Sequence, residues 1–273
     1  MKYDIIIIGS GPGGYVTAIR ASQLGFKVAV VEKENLGGIC LNWGCIPTKA
    51  LLKSAQVYDY LKHVDQYGLK AEAIDKDFEA VIKRSRNVAE GMSKGVQFLM
   101  KKNKIDIIDG FGKIQNGKKV AVTAEDGSVT EYSAAHIIIA TGARSRELPN
   151  LPQDGTKVIG YREAMSLPTQ PKSMIVVGSG AIGVEFAHFY NAMGTDVTIV
   201  EFLPNVVPLE DKEVSKQFER SIKKAGIKVM TNSSVESVDI SGDGVKATVK
   251  TKKGEQILEA DIVLSAVGIK SNI

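Results

Sequence analysis

The feature that most constrains the fold of this chain is a pattern of about thirty residues that occurs twice. Each copy has an apolar strand-like run, a glycine loop, a helical pattern, and a second apolar run that closes on a glutamate. The loop glycines are Gly9, Gly11 and Gly14 in the first copy and Gly178, Gly180 and Gly183 in the second. The closing acids are Glu32 and Glu201, each 23 residues after the first glycine of its loop.

This order of strand, glycine loop, helix, strand and acid is typical of a dinucleotide-binding βαβ unit. The first glycine allows a tight turn, the second lets the backbone approach a pyrophosphate, and the third lets helix and strand pack closely. Two copies predict an α/β chain with two Rossmann-like domains of three-layer ββα character. We expect two domains, at residues 1–148 and 149–273, joined by a proline-punctuated connector.

The closing glutamates predict ribose recognition, because a carboxylate accepts hydrogen bonds from sugar hydroxyls. Glu201 favours a free 2′-hydroxyl and repels a 2′-phosphate. Phe202 follows it, and no arginine stands nearby to hold a phosphate. The second copy is therefore expected to prefer NAD to NADP.

Cys40 and Cys45 are the only two cysteines, and they follow the first copy closely. A CxxxxC pair beside a cofactor site suggests a dithiol that takes up and releases two electrons. The alternative without a redox role is two reduced cysteines in the core. Pro47 predicts the first turn of a helix, which places Cys45 near a helix N-terminus, where the dipole favours thiolate. Two dinucleotides beside a redox thiol pair most simply mean a flavin and a nicotinamide.

The remaining patterns predict ordinary elements. They are an amphipathic helix at 77–102, short antiparallel strands over 105–132, a buried strand and turn at 136–143, a helix at 211–225, short strands to Val249 and a final apolar strand at 261–268.

Composition narrows the function classes. The net charge of +4 forms no basic stripe, which argues against nucleic-acid binding. No apolar run approaches the roughly 20 residues that span a bilayer. Strand-like sequence begins at Asp4, which leaves no room for a targeting peptide and favours a cytoplasmic location. His63, His136 and His188 lie away from the cysteines and glycine loops, and no cluster of metal ligands is evident.

The order of these motifs resembles that of the pyridine nucleotide–disulfide oxidoreductases. The resemblance rests on the two glycine loops, the cysteine run from Gly37 to Lys49 and the Ala140-Thr141-Gly142 turn, and it covers the whole chain. It implies a flavoprotein that passes electrons from a dithiol substrate through Cys40–Cys45 and FAD to NAD+. Glu201 and the pattern around Gly178 lean toward the members that oxidise protein-bound dihydrolipoamide to lipoamide. Glutathione and mercuric reductases share the cysteine run and remain alternatives.

The resemblance also implies roles for individual residues. Cys45 would lie against the flavin and Cys40 would exchange with substrate, while Lys49 would approach the flavin and pair with Glu185 near the nicotinamide. FAD would contact Gly9, Gly11, Gly14, Glu32, Lys33, Lys49, Gly112, Thr141, Gly142 and Ala143. NAD would contact Gly178, Gly180, Gly183, Glu201 and Gly268.

The chain departs from the family pattern at its end. Family members continue beyond the position of Ile273 with a further flavin-contacting segment and an interface domain. The resemblance therefore implies an N-terminal fragment that is inactive or impaired, with an incomplete FAD-binding domain at residues 1–148 and an NAD-binding domain at 149–273. The full-length protein would be a homodimer that serves the lipoyl domain of a 2-oxoacid dehydrogenase complex. A second possibility for the fragment is a non-catalytic dinucleotide-binding module.

Overall fold

The computed structural model describes residues 2–273, and the chain divides into two compact units. Unit 1 holds the residues up to Pro47, Arg86–Arg144 and Ser271–Ile273, and unit 2 holds Thr48–Ser85 and Ser145–Lys270. The predicted boundary at 148/149 lies close to the observed division at 144/145. The segment 48–85 groups with unit 2 instead of the first domain, partly because Phe78 packs on Phe189 with ring centroids 6.1 Å apart.

The first half of the chain contains six strands and four helices. The strands are β1 (Lys2–Ile8), β2 (Val28–Glu32), β3 (Asp106–Asp109), β4 (Phe111–Gln115), β5 (Lys119–Thr123) and β6 (Val129–Ile139). The helices are α1 (Pro12–Gln23), α2 (Gly38–Asn42), α3 (Cys45–Lys62) and α4 (Phe78–Lys102), with a 3-10 turn at Val64–Tyr67.

The second half begins after β6. Its strands are β7 (Ala143–Ser145), β8 (Val158–Ile159), β9 (Ser173–Val177), β10 (Asp196–Val200), β11 (Lys228–Met230), β12 (Ser234–Asp239), β13 (Val245–Thr251), β14 (Gly254–Ala260), β15 (Ile262–Ser265) and β16 (Ile269–Ser271). Its helices are α5 (Tyr161–Ala164), α6 (Ala181–Ala192) and α7 (Lys212–Lys224). The observed α4 and α7 agree with the helices predicted at 77–102 and 211–225.

Unit 1 is built on a sheet in the order β3-β2-β1-β6-β5-β4. The neighbouring strands β3, β2, β1 and β6 pair in parallel. The strands β6, β5 and β4 form an antiparallel meander. Ile7 faces a core shared with α1 and α4, and Ile6 and Ile8 face a core shared with the meander. Both faces of the parallel strands are covered, which explains their continuous apolar runs.

Unit 2 repeats this plan. Its parallel sheet has the order β11-β10-β9-β15-β8, and a separate antiparallel sheet β12-β13-β14 packs on one face. Ile175 and Val263 of the first sheet share a core with Val245 and Val249 of the second. The large buried aromatics of α6 lie on the parallel sheet's helical side. The predicted three-layer ββα arrangement and the Rossmann-like fold class are confirmed.

Three element predictions need correction. The run at 106–109 is a parallel strand beside β2, not an antiparallel one, because α4 carries the chain across before β3 begins. The strand at 136–139 is only partly buried, and Ile139 is 64% exposed. Strands continue beyond Val249, since β14 completes the antiparallel sheet through its pairing with β13.

Candidate functional site

The first glycine loop is shaped by close backbone contacts that only glycine permits. Gly9 ends β1 with φ +99°, and a Cβ there would overlap the carbonyl oxygen of Ala140. A Cβ on Gly14 would overlap the carbonyl oxygen of Gly9, so α1 starts against the loop itself. The predicted roles of Gly9 in the tight turn and Gly14 in helix packing therefore have a direct steric cause.

The second glycine loop has the same geometry within unit 2. Gly178 also has φ +99°, and its Cβ would overlap the carbonyl oxygen of Ala266. A Cβ on Gly183 would overlap the carbonyl oxygen of Gly178. The two predicted copies therefore also match in three dimensions. In each copy the first glycine lies at the end of a strand and packs against the backbone that follows a neighbouring strand.

The open side of each loop has the properties of a phosphate cradle. Gly11 and Gly180 are the N-caps of α1 and α6, and a Cβ on either would meet nothing within 4 Å. Neither helix start receives a hydrogen bond from a side-chain cap, so the positive end of its dipole is not occupied by a capping side chain. An anion at a helix N-terminus is stabilised by both effects, and the arrangement fits the pyrophosphate of a dinucleotide.

Glu32 is held by a fan of donors at the end of β2. Its Oε2 accepts hydrogen bonds from the backbone N–H and hydroxyl of Ser10, at 2.9 and 2.6 Å. Its Oε1 accepts from the N–H groups of Lys33 and Glu34, at 2.8 and 3.0 Å. These donors occupy the acceptor sites of the carboxylate, so a ribose hydroxyl must share or displace one. The Ser10 hydroxyl is the one that can rotate away.

Glu201 is held in the same way but is more deeply buried, with 6% exposure. Its Oε2 accepts from the N–H and hydroxyl of Ser179 at 2.7 and 2.6 Å, and its Oε1 accepts from the N–H of Leu203 at 2.7 Å. One acceptor position remains on Oε1. The sequence interpretation missed Ser10 and Ser179, although the same residue follows the first glycine in both copies.

The cysteine segment is attached directly to the first glycine loop. The N–H of Gly37 donates to the carbonyl oxygen and the hydroxyl of Ser10, at 3.1 and 3.2 Å. Gly38 has φ +62°, and a Cβ there would lie 2.6 Å from the Cα of Gly11. These contacts bring the start of the thiol segment against the phosphate cradle of unit 1.

The two cysteines occupy different positions in consecutive helices. Cys40 lies within α2, is half-buried and packs against the core of unit 1. Cys45 is the first residue of α3, which agrees with the prediction that it lies near a helix N-terminus, and its side chain is exposed. The turn between them is tight, because a Cβ on Gly44 would lie 3.4 Å from the Cα of Cys40.

Lys49 lies four residues after Cys45 in α3, and its ammonium group pairs with the carboxylate of Glu185 in α6. The resemblance predicted this pair, and unit 2 brings the two side chains together. Lys49 is 59% exposed and Glu185 is 29% exposed. An ion pair at this exposure contributes little to stability, so its geometry matters more than its energy.

The other predicted contact residues lie in turns and strands around the loops. Gly112 sits in β4 where a Cβ would lie 3.1 Å from the Cγ1 of Val31, so close packing of the meander accounts for this glycine. Thr141 and Gly142 form the turn after β6, and Asn272 binds this turn through a pair of hydrogen bonds, which we call the Asn272 clasp. The Thr141 hydroxyl donates to the backbone carbonyl of Asn272 at 2.6 Å. The Asn272 amide returns a bond to the Thr141 carbonyl at 2.9 Å.

Two further predicted positions lie at chain turns within the units. Gly268 follows β15 with φ +107°, and its carbonyl accepts a bond from the N–H of Arg146 at 3.0 Å. Ala143 begins β7.

Other site types receive no support in the described part of the chain. No group of three or more His, Cys, Asp or Glu side chains within residues 2–273 is arranged to hold a metal ion. The histidines are exposed. No helix among these residues is both long and apolar enough to cross a membrane.

Comparison with known proteins places these features in a family. The family model described as pyridine nucleotide-disulphide oxidoreductase matches residues 3–273. A dihydrolipoyl dehydrogenase from Rhizobium etli is 49% identical over all of this chain, and one from Chlorobaculum parvum is 48% identical over 98% of it. The crystal structure of LpdA from Mycobacterium tuberculosis superimposes on the whole chain with a TM-score of 0.90 at 27% identity.

The chain spans only part of these relatives. It covers 60% of the Rhizobium protein, 57% of the Chlorobaculum protein and 59% of the mycobacterial chain. The family model nevertheless spans nearly every residue present, including both glycine loops and the cysteine pair. The chain belongs to the pyridine nucleotide-disulphide oxidoreductase family.

Proposed function

We propose that the full-length protein oxidises protein-bound dihydrolipoamide to lipoamide and reduces NAD+ to NADH, releasing one proton. In this reaction the substrate dithiol becomes a disulfide while the Cys40–Cys45 disulfide opens to a dithiol by thiol–disulfide exchange. The electron pair then leaves the protein dithiol for NAD+. The curated relatives named dihydrolipoyl dehydrogenase support this choice over glutathione or mercuric reductase.

One observation carries the proposal. The segment that leads to Cys40 is bonded to the first glycine loop, through Gly37 to Ser10 and through the backbone contact of Gly38 with Gly11. A structural core cysteine has no need of a phosphate cradle beside it. A thiol pair that exchanges electrons with a bound dinucleotide does need this attachment, because electron transfer requires the two groups to be adjacent.

The residues present fit FAD in unit 1. The loop at Gly9, Gly11 and Gly14 would hold the pyrophosphate, and Glu32 would hold a ribose. The resemblance adds expected contacts from Lys33, Lys49, Gly112, Thr141, Gly142 and Ala143. FAD, when bound, supplies the two-electron acceptor that the protein dithiol reduces.

The resemblance assigns Lys49 and Cys45 to the surroundings of that acceptor. Cys45 stands at the N-terminus of α3, the end of the helix where the dipole favours negative charge. Glu185 holds the ammonium group of Lys49 in place, so a positive charge is fixed one helical turn from Cys45 along α3. Cys40 is the thiol that exchanges with the substrate.

Unit 2 fits NAD. Its loop at Gly178, Gly180 and Gly183 would hold the pyrophosphate, with Gly268 nearby. Glu201 keeps one acceptor position for a ribose hydroxyl, and its buried negative charge disfavours the 2′-phosphate of NADP.

We propose the corresponding biological setting from the same family. Residues 1–148 would act as the FAD-binding domain and residues 149–273 as the NAD-binding domain. The full-length protein would be a cytoplasmic homodimer whose partner is the lipoyl domain of a 2-oxoacid dehydrogenase complex.

The visible absorbance spectrum tests the proposal. Purified protein should show flavin peaks, as isolated or after FAD is added, and these should bleach when NADH is added without oxygen. In the full-length protein, Cys45→Ser should still allow bleaching by NADH but should lose lipoamide turnover, because a single thiol cannot form the intramolecular disulfide.

Two results would contradict the proposal. A full-length protein that binds no flavin has no acceptor for the dithiol. A Cys45→Ser variant that keeps full turnover would show that the cysteine pair is not the redox group.

A further inference from the structure

Arg86 reaches from α4 into the short segment that separates the two cysteines. Its Nη2 donates a hydrogen bond to the carbonyl oxygen of Asn42 at 2.5 Å. Its guanidinium lies over the ring of Trp43, 4.2 Å from the centroid. Both contacts lie on the tripeptide Asn42-Trp43-Gly44, and Cys40 and Cys45 stand on either side of that tripeptide.

The position of Arg86 is not explained by an ion pair. No carboxylate pairs with it among residues 2–273, and its Nη1 is buried without a hydrogen-bond partner. Burial lowers the pKa of Arg86, because removal from water disfavours the charged form. Placing a cation here costs free energy, which the carbonyl bond and the stacking on Trp43 must offset.

The tripeptide that Arg86 contacts is already tightly folded. The Nδ2 of Asn42 donates to the carbonyl oxygens of Leu36 and Gly38, both at 2.9 Å. The N–H of Trp43 closes the last turn of α2 on Ile39 at 2.7 Å. These bonds fix the backbone of the tripeptide from within its own segment, and Arg86 adds contacts to Asn42 and Trp43 from α4.

The spacing of two sulfurs that form a disulfide depends on such a turn. A disulfide requires Cα atoms within about 7 Å and Cβ vectors that face each other. A looser turn between the cysteines would spread their separations over a wider range and lower the effective concentration of one thiol at the other. The disulfide would then form less readily, and the pair would become more oxidising.

We propose that Arg86 is a positioning residue for the cysteine pair: by stacking on Trp43 and binding the Asn42 carbonyl, it holds the turn that keeps the two sulfurs ready to join. This inference rests on the proposed redox function of Cys40 and Cys45. It concerns only residues of unit 1.

The test is the equilibrium of the pair with a glutathione redox buffer, read as the mass of protein after thiol alkylation. Arg86→Ala should lower the equilibrium constant for disulfide formation about tenfold, which is about 30 mV toward a more oxidising potential. Arg86→Lys keeps the charge and a donor but loses the planar face, so we expect a shift of about threefold.

Ser93→Ala is the matched control. Ser93 also lies in α4, and its hydroxyl donates a hydrogen bond to the carbonyl oxygen of Leu36 at 2.8 Å. Leu36 precedes both cysteines in the sequence and lies outside the segment between them. Its removal should leave the thiol equilibrium within twofold of the unsubstituted protein. If Arg86→Ala does not fold, as judged by circular dichroism, the comparison of Arg86→Lys with Ser93→Ala decides the matter.

The outcomes separate the two proposals. If the unsubstituted pair forms no disulfide at any glutathione ratio, the redox function fails and the role of Arg86 fails with it. The other result overturns only the positioning role. In that case the unsubstituted pair forms a disulfide, and the equilibrium constants of Arg86→Lys, and of Arg86→Ala if it folds, equal that of Ser93→Ala.

Discussion

Replacing Glu201 by glutamine should destabilise unit 2 although the two side chains have the same shape. Both carboxylate oxygens of Glu201 accept a backbone N–H, from Ser179 on one side and from Leu203 on the other. A glutamine amide offers one oxygen and one NH2 group. Either orientation therefore places a donor against a backbone donor, and flipping the amide only moves the conflict.

The magnitude follows from burial. Glu201 is 6% exposed, so water cannot readily satisfy the N–H that loses its acceptor. A buried donor left without a partner costs about 1–3 kcal/mol. Glu32→Gln is the matched control, because Glu32 makes the same bonds through Ser10 and its following N–H groups but is only half-buried. Water can reach that site, and we expect a cost below about 1 kcal/mol there.

Calorimetry and amide hydrogen exchange would measure both variants. A cost of 2 kcal/mol corresponds to a fall in Tm of about 4–8 °C for a cooperative unit of 150–250 residues. In Glu201→Gln, faster exchange should appear at the N–H of Ser179 or Leu203. Equal stability of Glu201→Gln and the unsubstituted protein, or a larger loss in Glu32→Gln, would refute the reasoning.

Three further changes test other contacts. Gly183→Ala should lower the free energy of unfolding by more than about 2 kcal/mol, because the new methyl overlaps the carbonyl of the loop's first glycine. The methyl of Gly180→Ala enters open space, so this variant should keep the Tm of the unsubstituted protein. Equal Tm values for the two variants would contradict the steric argument. Burial raises the pKa of Asp154, but hydrogen bonds from the backbone and hydroxyl donors just after it outweigh burial, so the pKa lies below its ordinary value. The stabilisation by Asp154 is complete above the unfolded pKa near 4 and is lost as the pH falls through the folded pKa. The difference in the free energy of unfolding between the unsubstituted protein and Asp154→Asn should therefore shrink below about pH 4. A difference that does not depend on pH would exclude this linkage. Tyr190→Phe removes a buried hydroxyl that donates to a carbonyl of α5 at 2.6 Å, so urea unfolding should show a loss of about 1–2 kcal/mol, and no loss would mean that the bond adds nothing net.

The glycine loops could be predicted from sequence because their requirements are local. Gly9 and Gly178 need a positive φ, and Gly14 and Gly183 need the absence of a Cβ, so the residue type itself records the geometry. The position of Cys45 near the N-terminus of α3 could also be predicted, since Pro47 suits the first turn of a helix.

Contacts between distant segments could not be predicted in this way. Periodicity places Arg86 among the polar positions of α4, and nothing local indicates its contact with Trp43. The direction of β3 was predicted wrongly for a similar reason, because an apolar run does not record whether its partner strand is parallel. The pairing of Lys49 with Glu185, 136 residues apart, came from family resemblance alone.

The clasp of Asn272 on the Thr141 turn has a consequence for synthesis on the ribosome. The six strands of the unit 1 sheet are all synthesised once β6 is complete, but Asn272 lies 131 positions beyond Thr141. At about 5–20 residues per second, roughly 7–26 s pass before it is made. During that interval the nascent turn, which contacts Gly9, has only its local bonds, so chaperones and proteases meet this turn before its final hydrogen bonds exist.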